Sequence, residues 1–237
     1  MKSRITVGLL MSALLLPAAV LAETKRCTPK HTEGEIIIEL ADCKVLSAEE
    51  IQKSAIENLS TNFGGMHPVI NAKGSVTLVA VYDYACAECK KMAPRLLTLA
   101  KNHPDIRVIF RNTQGELPTA QLAAQAEKKV WILQGDKAFM HYFGQLFKGQ
   151  GQSVKEAMFG VGIAFAGTKE ELLGWDVTSD KIARQTKDFL EELNIKTTPA
   201  FIITATNNPD VNTTTMLTGV VDEKTVLAAV QKAKRGE

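Results

Sequence analysis

The chain has 237 residues, of which 45% are hydrophobic, 23% charged and 6% aromatic. Those proportions describe a globular protein and exclude a disordered, collagen-like or multi-span membrane chain. Its 28 basic and 26 acidic residues include just two charges, Lys2 and Arg4, in the first 22 positions. The chain beyond residue 22 is therefore neutral, with no electrostatic footprint for nucleic acid or an anionic membrane.

Residues 1–22 pair those two cations with an apolar run and a small-residue ending at Val20, Leu21 and Ala22. This pattern predicts a secretory signal peptide cleaved after Ala22, and the run is short for a transmembrane anchor. Export to the periplasm changes how the four cysteines read, because disulfides persist in an oxidising compartment. Four cysteines allow three pairings. Their spacing favours Cys27 with Cys43 and Cys86 with Cys89.

In chain order, residues 24–30 read as polar and irregular, and 35–40 as a short strand. Ser47 and Glu50 form a capping box for a helix carrying Ile51, Ala55, Ile56 and Leu59 on one face, ended by Gly64, Gly65 and Pro68. The segment 23–73 is too small for its own core. It must pack on the following domain or on a second subunit, so a homodimer is one expectation. Residues 76–82 are an apolar, β-branched buried strand. A helix from Cys86 to about Lys101 and a strand at 105–110 complete a βαβ unit.

From 118 to about 175 every segment reads as helical: 118–134, 136–147, 153–165 and 168–174, with capping boxes at Ser153–Glu156 and Thr168–Glu171. A helix over 178–193 follows, then Thr198-Pro199, a strand at 200–205, a hairpin partner over 213–217 and a final helix capped by Asp222. The aromatic stripe of Phe139, Met140, His141, Tyr142, Phe143 and Phe147 reads as helix core, with a substrate groove as the alternative.

The chemistry is concentrated in Cys86-Ala-Glu-Cys89, placed where a buried strand gives way to a helix. Unpaired N–H groups and the helix dipole at that point stabilise a thiolate on the first cysteine. The second lies within the first turn, close enough for a small disulfide ring. Pro94, five residues on, is expected to kink the helix beyond an intact first turn. The alternatives for this pair are a structural disulfide or half a metal site. His31, His67, His103 and His141 are scattered and there is no second Cys-x-x-Cys, so no metal site is expected.

This ordered set resembles the thioredoxin superfamily and, within it, the DsbA-like thiol:disulfide oxidoreductases. The resemblance spans about residues 75–235 and includes Thr198-Pro199, which is similar to the cis-proline segment opening a family strand. It implies an α/β thioredoxin fold over 74–237, with an inserted all-helical domain at about 115–176 and a small N-terminal extension. It also implies Cys86 as nucleophile and Cys89 as resolving thiol. Pro199 would face them, and Thr198 would dock an extended substrate peptide. No cofactor is implied; the partners would be exported protein substrates and a membrane redox protein.

DsbA itself has histidine where this chain has Glu88, and valine where it has Thr198. A carboxylate at roughly 6–8 Å would oppose a thiolate by about 0.5–2.5 kcal/mol, and Lys90 and Lys91 would offset part of that. A less stabilised thiolate makes a less oxidising disulfide. Threonine before the proline is similar to the isomerase branch. Cys27 and Cys43 are expected to form a structural disulfide worth about 3 kcal/mol. A non-enzymatic chaperone or metal-handling protein using the same dithiol is the competing class, and an assembly factor for one secreted machine a third.

Overall fold

The computed structural model describes residues 24–27, 30–32, 35–37, 43–57, 59, 67–148 and 153–235. The expected signal peptide lies outside them. The chain divides into two units, one through Ala48 and one from Glu49 onward.

In the first unit, β1 (Thr24–Cys27) pairs antiparallel with β4 (Cys43–Leu46), and β2 (Lys30–Thr32) with β3 (Glu35–Ile37). The strand expected at 35–40 is β3 over its described residues, and three further strands accompany it in two ladders. Short polar strands such as β1 and β2 lack the apolar alternation that would have marked them. The β1–β4 register makes Cys27 and Cys43 direct Cα partners.

The second unit is built on a five-stranded sheet of order β5-β7-β6-β8-β9. Its strands are β5 (Val69–Ile70), β6 (Val76–Tyr82), β7 (Ile106–Asn112), β8 (Ala200–Ala205) and β9 (Thr215–Thr218). The pair β6–β7 is parallel, joined through α2 (Ala87–Asn102), and every other pairing in this sheet is antiparallel. The strand β6 is buried along its whole length. With a side-chain period of two, it feeds both faces of the sheet. Val76, Leu78, Ala80 and Tyr82 join α2 and α6 (Glu223–Lys234) on one face. Val79 and Val81 join Ala55, Ile56 and Leu59 of the α1 segment and Phe189, Leu190 and Leu193 of the α5 segment on the other.

Here α1 is Ala48–Glu57 and α5 is Trp175–Glu192. The apolar face of α1 is therefore covered by this chain's own sheet, and β5 is the edge strand beside β7. Both lie within the span expected to be an extension ending at residue 73. Ten residues of amphipathic helix gave no sign of which apolar surface they would meet. The covered face agrees with the first of the two expectations, packing on the following domain.

The insertion consists of α3 (Pro118–Lys148), interrupted at Gly135 with φ 77° and ψ −169°, and α4 (Val154–Phe159). Gly135 divides α3 where the sequence placed the break between 134 and 136. Ser153 and Glu156 form the expected capping box, but α4 stops at Phe159, short of 165, where Gly160 and the left-handed Gly162 follow. At 168–174 only a 3-10 turn forms, over Glu170–Leu172. The Glu171 carboxylate there takes the N–H of Ala166 at 2.7 Å and of Thr168 at 3.5 Å, tightening a loop instead of opening a helix. The aromatic stripe is core: Phe139, Tyr142, Phe143 and Phe147 are all buried.

Replacing Leu59, only 1% exposed, with alanine tests the seat of the α1 segment. Leu59→Ala is expected to cost about 2–5 kcal/mol in denaturant unfolding. A change below about 0.5 kcal/mol, the size typical of surface positions, would show that the segment does not contribute to this core.

Candidate functional site

Strand β6 ends at Tyr82, and the turn after it delivers Cys86 to the N-cap of α2. Asp83 accepts the Cys86 N–H on its backbone oxygen at 3.1 Å and the Ala85 N–H on Oδ1 at 2.8 Å. Cys86 is extended, with φ −78° and ψ 119°, and its sulfur accepts the Cys89 N–H at 3.3 Å. That bond satisfies one of the free N–H groups of the helix start, where the helix dipole also favours negative charge. The first turn is closed by Lys90 N–H to Cys86 O at 3.1 Å, and α2 continues through Pro94.

Across from the dithiol lies the peptide between Thr198 and Pro199, which is cis. The Cys86 thiol donates to the Thr198 carbonyl at 3.3 Å. Pro199 is buried and Thr198 half-buried. The structure thus brings together Cys86, Cys89, Thr198 and Pro199, four residues that the sequence singled out across more than a hundred positions. Both thiols are free.

The two sulfurs differ. Burial pushes the Cys86 thiol up, but its hydrogen bonds outweigh that, and the net pKa is lowered. The bonds come from the Cys89 thiol, the Thr198 side chain and the backbone N–H groups of Cys89 and Glu88. Cys89 is 2% exposed. Burial first, and its bond to Cys86 second, push its pKa up to about 12. One thiol is prepared to ionise and the other to stay protonated.

Glu88 is paired with one of the two lysines expected to offset its charge. Its Oε1 accepts Lys91 Nζ at 2.6 Å, and both side chains are about half exposed or more. What Glu88 offers the sulfur is its backbone N–H. The lysine and the solvent both screen the carboxylate's field. His67, His103 and His141 do not join the dithiol, and His31 lies where side chains are not described. Among the described residues no three His, Cys, Asp or Glu side chains converge in metal-holding geometry.

Behind the turn is a polar cluster that sequence reasoning missed. Glu127 of α3 is 4% exposed, and its Oε2 accepts the hydroxyls of Tyr82 and Tyr84, each at 2.6 Å. Burial raises its pKa to about 7, against the pull of the two tyrosines and the charge of Lys128. Lys128 Nζ sits 4.7 Å from the centre of the Trp131 ring, and burial brings its pKa down to about 8. Glu127, Lys128, His67 and Asn112 border a cavity of about 20 Å³, room for about one water. A polar pair inside an otherwise apolar helical period was the one available sign in the sequence.

A dithiol on a helix start, facing a cis-proline peptide across a mixed five-stranded sheet, defines a thioredoxin-type redox site. The chain belongs to the thioredoxin family, whose sequence profile, described as "Thioredoxin", matches residues 65–223. No curated protein sequence matches it significantly. Its fold is similar to that of a thiol-disulfide exchange protein, alpha-DsbA2 from Wolbachia pipientis, at TM-score 0.64 and 18% identity over 80% of this chain and 99% of the other. The catalytic domain of Proteus mirabilis ScsC is similar at TM-score 0.61 and 24% identity, over 76% and 97% of the two chains. So is a periplasmic thioredoxin-like protein from Salmonella enterica serovar Typhimurium, at TM-score 0.56 and 25% identity, over 75% and 97%.

The unequal thiols lead to two expected outcomes. Brief alkylation of the reduced protein is expected to label Cys86 at a pH below the ordinary thiol range. Cys89 should stay unlabelled until far more alkaline pH; peptide mapping that finds Cys89 labelled first would reverse the assignment. For Glu88→Gln, the Cys86 pKa is expected to fall by less than about half a unit, since the carboxylate is already paired and solvated. A larger fall, read by thiolate titration, would restore Glu88 as a main redox control.

Proposed function

We propose that this protein is a periplasmic thiol:disulfide oxidoreductase that exchanges disulfides with exported polypeptides through Cys86 and Cys89. The observation that carries the reading is the placing of Cys86: its sulfur accepts the Cys89 N–H at 3.3 Å and meets the Thr198 carbonyl at the same distance. Membership of the thioredoxin family supports it, as does the leader-like start of the sequence.

In the oxidising direction, a substrate thiolate attacks the Cys86 sulfur of the Cys86–Cys89 disulfide, and Cys89 leaves as a thiolate that takes up a proton. A second substrate thiolate then attacks the substrate sulfur of the mixed disulfide and expels Cys86. Two substrate thiols lose two electrons and two protons overall, and the enzyme dithiol gains them. In the reducing or isomerising direction, Cys86 thiolate attacks a substrate disulfide. Cys89, once deprotonated, resolves the intermediate. A proton must therefore leave Cys89 at that step, against the burial that raises its pKa.

The backbone of Thr198, beside Cys86, suits docking of an extended peptide chain across the sulfur. A membrane redox protein that restores the dithiol or the disulfide sets the direction of turnover. Cys27 and Cys43, as Cα partners in a ladder, stand at a spacing of about 4.5–5.5 Å, inside the range a disulfide spans. Their pairing would serve structure, not turnover.

The test is exchange with a disulfide-bonded or reduced protein substrate. Cys86→Ser is expected to abolish turnover. Cys89→Ser is expected to accumulate a covalent mixed disulfide that runs as a single larger species without reductant and disappears with it. Turnover that survives Cys86→Ser would remove the enzyme reading. Retention of stoichiometric copper or zinc by the purified wild type, without exchange, would favour the metal-handling alternative.

A further inference from the structure

The helical insertion meets the catalytic turn through aromatic rings and through one carboxylate. Glu127 Oε2 takes both tyrosine hydroxyls at 2.6 Å, an arrangement that a charged or carbonyl-like oxygen satisfies best. The two tyrosines are otherwise held in different ways. Tyr82 is the last residue of β6 and is fixed by its ladder position opposite Asn112 of β7. Tyr84 is in no ladder. Its ring stacks on Phe147 with centroids 5.0 Å apart and meets Tyr142 edge-on at 6.3 Å. All three of these Tyr84 partners, Glu127, Tyr142 and Phe147, belong to α3.

One residue separates Tyr84 from Cys86. The turn between them is closed by the two hydrogen bonds to Asp83, so a shift of Tyr84 is carried to the Cys86 backbone. The bonds that favour the Cys86 thiolate, from Cys89 N–H and from the Thr198 side chain, depend on where that backbone sits. A hydrogen bond of this kind loses strength steeply with distance and angle. The hydrogen bonds of Glu127 Oε2 go to the tyrosines and not to either sulfur.

We propose that Glu127 is a positioning residue for Cys86: by holding the Tyr84 hydroxyl, it fixes the 83–86 turn in the geometry that keeps the Cys86 sulfur bonded to Cys89 N–H and the Thr198 side chain. The inference rests on the reading of Cys86 as the reactive thiol. It gives the helical insertion a part in setting thiol reactivity, in addition to packing.

Tyr82 supplies the control. Tyr82→Phe and Tyr84→Phe each remove one hydroxyl from the same oxygen, but only Tyr84 lies in the turn that carries Cys86, so a role confined to holding α3 against the sheet would not single out Tyr84. The measurement is the alkylation rate of Cys86 in the reduced full chain as a function of pH, with folding checked by circular dichroism. Tyr84→Phe is expected to raise the Cys86 pKa and slow alkylation at neutral pH by about threefold or more, the equivalent of about half a pKa unit. Tyr82→Phe is expected to stay within about 1.5-fold of wild type by the same measure. Glu127→Gln, which keeps an acceptor oxygen, should lie closer to wild type than Glu127→Leu. If Glu127→Leu does not fold, the tyrosine pair still decides.

Equal effects in Tyr82→Phe and Tyr84→Phe, or no effect in Tyr84→Phe, would overturn the proposal. The titration uses no substrate. A protein that titrates as expected yet exchanges no disulfide would refute the oxidoreductase reading and leave this inference standing.

Discussion

The site depends on the antiparallel pairing of β6 with β8. In that ladder Val81 lies opposite Ala200, so the end of β6 is beside the beginning of β8. The turn that carries the chain from β6 to Cys86 must therefore meet the Thr198-Pro199 peptide that leads into β8. The 3.3 Å approach of the Cys86 sulfur to the Thr198 carbonyl is a consequence of this register. A one-residue slip would turn every side chain of β6 to the other face of the sheet and set two buried clusters against the wrong partners. Complete burial of β6 on both faces opposes such a slip, so the register that forms the core also forms the site.

The second organising feature is the asymmetry between two chemically identical side chains three residues apart. Cys86 is the N-cap, where donors are free and the helix dipole is strongest. Cys89 is inside the first turn and faces the core beside Met92 and Leu96. The same helix start thus stabilises charge on one sulfur and, by burying it, denies charge to the other. Disulfide exchange needs this inequality, because one thiol must attack and the other must wait.

The helical insertion adds a polar core within an apolar one. A buried carboxylate is costly unless its lone pairs are met, and Glu127 is met by two tyrosines from the β6 end of the sheet. Around it the rings of Tyr82, Phe110, Phe139 and Phe143 pack edge to face at 4.8–6.3 Å. Aromatic packing anchors the second half of α3 to the sheet face, while the carboxylate ties its first half to the catalytic turn. Elsewhere Arg111 links β7 to α5 through Thr186 and the Gln185 carbonyl, at 2.9 and 2.7 Å.

Local chemistry in the sequence determined much of this. The strands β6, β7 and β8, the helix opened by Cys86, the break at Gly135, the caps at Ser153 and Asp222 and the dithiol were legible because each rests on nearest-neighbour rules: period, capping and turn residues. The family resemblance placed Thr198 and Pro199 opposite the cysteines. Tertiary structure alone decided the rest. The partner of the α1 face and the edge strand β5 depend on contacts with residues far along the chain. So does the state of Glu88, whose charge the sequence shows but whose pairing with Lys91 and degree of solvation only the folded helix sets. Glu127 is the clearest case. As a residue type it belongs on a surface, and the hydroxyls that let it be buried come from positions 45 and 43 residues away, brought to it only when α3 closes over the end of β6.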